Sequence, residues 1–350
     1  MKLSDKARDI LNDDRYIANF NKWIKRLDNL FTKKPDPYLD EHVFVLHGIT
    51  GQSKLDMYTQ PEEWIIGSLE DLANRIGATE KENTFVPACF NFPLYGVHFI
   101  DKIFGANVFF KDGQWWSDCL DKPVGTLEYP DFEKNEVIKF AKRGCEFFLE
   151  QNLKVPIFGL PTIACALNVI INLYSEEVLM AMLSDEDAVR HDLKIINGTL
   201  VTLHQWYRKT IPVEKRQPVV PAQRTLPYDF SQICGCSTAL ISKKLYDEFI
   251  APVDIELLAA YPNGGMMHLC GSHTHLIDTF RSMKELRAVQ INDRAAADLK
   301  FYFNELRDDQ IIYLNPCKDM TIETALEITG GERLVVVSDA DITYRKKSKK

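Results

Sequence analysis

Gly264-Gly265-Met266-Met267-His268-Leu269-Cys270-Gly271-Ser272-His273-Thr274-His275 holds a strand, a turn and the start of a helix in one short run. The apolar residues up to Cys270 predict a strand, Gly271 marks the turn, and 274–284 has helical period. Alternate side chains of a strand share a face, so His268 and Cys270 point one way and Leu269 the other. An imidazole and a thiolate rooted about 7 Å apart can converge on one metal ion. Sulfur and nitrogen donors together suit zinc. The same two residues would also serve as ordinary buried core, and a zinc site needs at least a third protein ligand.

The βα pattern repeats outward from this stretch. Strands are expected at 42–46, 84–90, 155–159 and 218–223 before it, and at 287–292, 311–317 and 333–339 after it. Helices fit between them, among them 135–151, 185–206, 294–307 and 321–329. Thr59 is placed as an N-cap for a helix over 61–76, and Ser242 as one for 243–250. The strand candidates are mostly apolar without alternation, as strands buried on both faces should be. Eight such units predict a single α/β domain, a (β/α)8 TIM barrel over 41–345. Apolar residues at helical spacing before Lys33-Lys34-Pro35 add an N-terminal helical extension over 1–40. The aromatic, proline-bearing segment 92–132 is read as an elaborated loop region over one end of the fold. A doubly wound open sheet is the runner-up, but no GxGxxG or GxxxxGK[ST] supports a nucleotide-binding version.

Composition narrows the function. The 350 residues are 45% hydrophobic and 26% charged, with a formal net charge of −8. An acidic chain does not suit a general nucleic-acid binder, and the basic run Arg345-Lys346-Lys347-Ser348-Lys349-Lys350 is read as a solubilising tail. No stretch approaches a membrane span, and the start has no apolar run. The eight cysteines are scattered rather than arranged as a disulfide framework, so reduced thiols and a cytoplasmic setting are expected.

Barrels gather functional groups where strands end. Cys317 closes the seventh strand, two βα units after Cys270, and odd-numbered strands share internal layers, so His268, Cys270 and Cys317 form the expected zinc set. Three protein ligands leave a position open for chemistry. Asp229 and Gln232, read as following the fourth strand, would bind substrate or fill that position; loop capping explains them equally well. Cys234-Gly235-Cys236 is set aside because one intervening residue is not the usual zinc spacing, and His47, His273 and His275 carry little weight.

Three segments resemble the uroporphyrinogen decarboxylase superfamily, and within it the corrinoid-dependent methyltransferases. They are Val155-Pro156-Ile157-Phe158-Gly159, Leu240-Ile241-Ser242-Lys243-Lys244-Leu245-Tyr246-Asp247-Glu248-Phe249-Ile250-Ala251-Pro252, and His268-Leu269-Cys270-Gly271. The last is similar to the family's His-x-Cys-Gly zinc motif. The resemblance implies a (β/α)8 barrel in which zinc activates a small methylated substrate or thiol. The methyl group would move to or from the cobalt of a corrinoid (cobalamin) on a partner corrinoid protein. Methyl-thiol members take a third zinc ligand near the last strand, where this chain has Ser338-Asp339-Ala340-Asp341. The Arg-Gln-Ala-Gly-Arg segment of true decarboxylases is missing around 42–51. That lowers the porphyrinogen decarboxylase alternative, since a substrate with many carboxylates needs such arginines. A decarboxylase for a smaller acid would need an arginine such as Arg224 at the mouth. A non-catalytic tetrapyrrole- or corrinoid-binding barrel is the remaining alternative.

Overall fold

The strand at the centre of the sequence reading forms over Gly265–Leu269, with every residue buried. It belongs to a computed structural model that describes residues 2–76, 83–155, 157–158, 164–216, 224–339 and 343–346. In chain order the strands are β1 (Phe44–Leu46), β2 (Ile49–Thr50), β3 (Ala88–Asn91), β4 (Val108–Lys111), β5 (Gln114–Ser117) and β6 (Ile157–Phe158). They continue with β7 (Ser231–Cys234), β8 (Gly265–Leu269), β9 (Leu286–Ile291), β10 (Ile311–Leu314) and β11 (Leu334–Val337). Six of them form one sheet in the order β1-β11-β10-β9-β8-β7, every pair parallel. A second sheet, β2-β3-β6, is also parallel. Two parallel bridges join their margins, Leu46 to Phe85 at one side and Ala164 to Cys234 at the other. Helices separate the parallel strands along the chain, as parallel crossovers require. The architecture is α/β.

One row of paired residues crosses the six-stranded sheet: Cys234, His268, Gln290, Tyr313, Val335 and Phe44. It starts at the last residue of β7 and ends at the first residue of β1. The row therefore descends from the C-terminal ends of the strands to their N-terminal ends.

The first helices fill the sheet's other end. Asp13 caps the helix Asp14–Thr32 by accepting from the Arg15 backbone N–H, and Lys33 ends it in the left-handed conformation. Its buried residues recur at three- and four-residue spacing, the pattern of one helix face. Trp23 stands edge-on to Phe44 and stacks on Phe85, and Phe31 meets Phe230 and Tyr313. Burial of these rings, at about 25 cal/mol per Å² of apolar surface, clamps the helix against the strand starts.

Several expected elements shift. The helix expected to start from a Thr59 cap runs Pro61–Arg75, with Gln60 at the cap position and no side-chain cap. Ser242 does cap the helix Lys243–Leu245, which continues without a break to Leu258. Segment 92–132 contains an antiparallel hairpin, β4–β5, turned at Asp112-Gly113 with both residues at positive φ. Asp-Gly between strands is the sequence mark of such a turn. The fourth strand expected at 218–223 lies outside the described residues, and the strand that pairs with β8 is β7, from Ser231. That strand was not expected, because Ser-Gln-Ile-Cys carries little apolar signal. Among the described residues no single helix is long and apolar enough to cross a membrane.

Candidate metal centre

Register builds the site. Cys234 is the last residue of β7 and pairs directly with His268 of β8. Each is followed two residues later by a cysteine, Cys236 and Cys270. Two donor-x-donor pairs thus end adjacent parallel strands, side by side. Cys234 Sγ lies 3.4 Å from Cys236 Sγ. One ligand atom from each of Cys234, Cys236 and His268 falls within 4.8 Å of the others. The Cys270 thiol stands outside that group, near enough to Cys236 and His268 to feel both electrostatically. Two sulfurs and one imidazole therefore converge, with a third sulfur beside them, a donor set that fits zinc.

The turn that brings Cys236 back needs a residue without a side chain. A Cβ on Gly235 would stand 2.7 Å from Met267 Sδ and 2.9 Å from its Cγ. The Gly235 N–H donates to the His268 carbonyl at 2.9 Å, which fastens the turn to β8. Asn168 holds the next residue: its Oδ1 accepts from the Ser237 N–H at 2.9 Å and from the Cys165 thiol at 3.4 Å.

His268 is oriented by its row neighbour. Its Nδ1 is hydrogen-bonded to Gln290 Oε1, and Gln290 Nε2 donates in turn to Asn315 Oδ1. With Nδ1–H so engaged, Nε2 is the ring atom left to ligate, the arrangement common to metal-bound histidines. Gln290 is only 1% exposed and His268 is buried, so the bond between them is shielded from water, while Asn315 is half-buried.

The electrostatics separate the thiols. Cys270 is held well below the usual thiol range, first by the Cys236 hydrogen bond and then by His268. Cys234 is lowered likewise by Cys236, with His268 and Arg224 adding to it. Cys236 is pushed up by the same two neighbours, Cys234 first and Cys270 second. Thiols held below their usual range beside an imidazole make an electron-rich, partly buried pocket suited to a cation.

The other residues singled out in the sequence lie elsewhere. Cys317 follows β10 and pairs its backbone with Met320 in a local turn, with no hydrogen bond to the cluster among the described residues. It stands on the second strand over from β8. Asp229 precedes β7, at the end opposite Cys234, with a positive φ and an ion pair to Arg216 at 3.0 Å. Gln232 lies inside β7, and its Nε2 donates to the Ile233 carbonyl. Both were expected to follow a strand over 218–223; since β7 starts at Ser231, neither stands past the C-terminal end of a described strand. His273 and His275 serve the loop: His273 Nδ1 meets the Gly271 carbonyl at 2.6 Å, and His275 Nε2 meets the Ile241 carbonyl at 2.9 Å. Ser272 donates to Asp298 at 2.6 Å, which fixes the same loop to the junction between the helices Asp293–Ala297 and Leu299–Glu305 beyond β9.

No protein-family model matches the chain, and no curated protein matches it in sequence. Its structure is similar to that of a methyltransferase from Methanosarcina mazei, with 92% of this chain and 94% of that one covered. The TM-score is 0.61 and the identity 12%, so the likeness is one of fold.

Proposed function

We propose that the chain is a zinc-dependent methyltransferase that moves a methyl group between a small methylated compound and a corrinoid protein. One observation carries this reading: in-register pairing of Cys234 with His268, which sets Cys-x-Cys and His-x-Cys side by side at the strand ends. The solved structure similar to this chain bears a methyltransferase name, and His268-Leu269-Cys270-Gly271 resembles the zinc motif of the corrinoid-dependent family. The descending row from Cys234 to Phe44 is the stagger that tilted strands show in a barrel. With the bridges Leu46–Phe85 and Ala164–Cys234, it supports one (β/α)8 ring whose C-terminal mouth holds the cluster.

Cys234, Cys236 and His268 would hold the ion and leave a fourth position for substrate, with Cys270 beside them. Bound zinc supplies a Lewis acid that keeps a thiolate, or a polarised oxygen, reactive at neutral pH. The chain's own residues do the positioning. Gln290 fixes the His268 ring, Gly235 lets Cys236 fold back, and Asn168 holds the loop that carries it.

A second reading rests on the donor count. Four protein ligands make a closed, structural zinc site, and three leave a place for substrate. Metal analysis decides the first point: purified protein should carry one zinc per chain, Cys270→Ala and Cys236→Ala should weaken it, and Cys317→Ala should retain it. Anaerobic assay with reduced cobalamin and a panel of methyl donors decides the second. Zinc-free wild type would overturn the metal centre. Stoichiometric zinc with no methyl transfer to cobalamin across the panel would favour the structural site.

A further inference from the structure

Beside the thiols stands a cation with a buried donor that is not used. Arg224 is 8% exposed, and its Nη1 has no hydrogen-bond partner. A guanidinium stays charged in proteins and carries five donors. Burying one of those donors without an acceptor is costly, and more so for a charged group. Burial works against the charge of Arg224, and the nearby Cys234, Cys236 and Cys270 sulfurs favour it. That attraction acts through space and leaves Nη1 without an acceptor. The segment is anchored rather than loose: Tyr313 Oη donates to the Thr225 carbonyl at 2.8 Å, and Leu226 is fully buried. A fixed, buried, unspent donor next to the metal-binding sulfurs calls for an acceptor brought by the ligand.

We propose that Arg224 is an anion-binding arm of this site, so that the small molecule entering the metal centre carries a carboxylate or similar oxyanion. The planar fork of the guanidinium matches two oxygens of such a group. The anion sits on Arg224 while the other end of the molecule faces the sulfur cluster. This deepens the zinc reading and rests on it.

The test uses the full chain loaded with Co²⁺, whose visible bands report on ligands at the ion. Two thiols of equal length, 3-mercaptopropionate and 3-mercaptopropan-1-ol, are titrated against those bands. Wild type should bind the acid at least about tenfold more tightly than the alcohol, the size of a charge-assisted contact. Arg224→Gln should still take up cobalt and bring the ratio close to one, and Arg224→Lys should keep part of the preference. Equal affinities in wild type, or a preference that survives Arg224→Gln, would overturn the proposal and leave the metal centre standing. Should Arg224→Gln fail to take up cobalt, the wild-type ratio and Arg224→Lys decide. Wild type that binds no cobalt would remove the metal reading, and this inference with it.

Discussion

Gln290→Leu isolates the connection that orients His268, the imidazole of the candidate metal centre. Gln290 is close to the volume of leucine and 1% exposed, so the change keeps packing and removes two hydrogen bonds, to His268 Nδ1 and to Asn315 Oδ1. A buried donor left without a partner costs roughly 1–3 kcal/mol. Part of that is offset by the apolar transfer of leucine, worth about 1.5–3 kcal/mol for a fully buried side chain. Metal-free stability should therefore fall by about 2 kcal/mol at most, read as a shift in the urea midpoint. Zinc affinity should fall more sharply, by about 10- to 100-fold, because the ring is free to turn away and loses basicity. Competition against a chromophoric chelator at fixed pH measures it. Gln290→Glu is the companion, since its carboxylate still accepts from Nδ1–H and should hold zinc at least as well as wild type. Unchanged zinc affinity in Gln290→Leu would refute the orienting role and the choice of Nε2 as ligand atom.

Other expected outcomes concern the frame. Asp254 is wholly buried, and burial raises its carboxyl to about 7 despite the hydrogen bond from Tyr246. A raised carboxyl keeps its proton in the folded chain while the unfolded chain has lost it, so stability falls as pH rises from about 4 to about 7. The full cost, on the order of 4 kcal/mol, is present above that window. Asp254→Asn should flatten that slope and raise the urea midpoint at pH 8; a slope equal to wild type would count against it. Gly235→Ala places a methyl group on Met267 and should cost about 1–3 kcal/mol while lowering zinc content. Normal zinc content and melting in that variant would mean the turn can open without loss. Trp23→Ala should destabilise by about 3–5 kcal/mol, because the ring is fully buried between Phe44, Phe85 and Tyr38. A melting curve like that of wild type would show that the first helices are not clamped to the strand starts.

The sequence by itself determined the βα repeat and half of the candidate metal centre. Unalternating apolar runs name β8, β9, β10 and β11, because a strand covered on both faces has no polar side to show. Period two puts His268 and Cys270 on one face wherever that strand goes. Tertiary structure decided which other thiols join them. Cys317 lies in a turn past β10, and β10 is two strands from β8. Cys234 lies on β7, the immediate neighbour, in register with His268. Spacing along the chain favoured Cys317 and disfavoured Cys-x-Cys, since neither strand order nor register can be read from one strand alone. Polar Ser231 and Gln232 hid β7 from any periodicity. Pairing with β8 made it a strand, and that pairing brought Cys234 and Cys236 to His268.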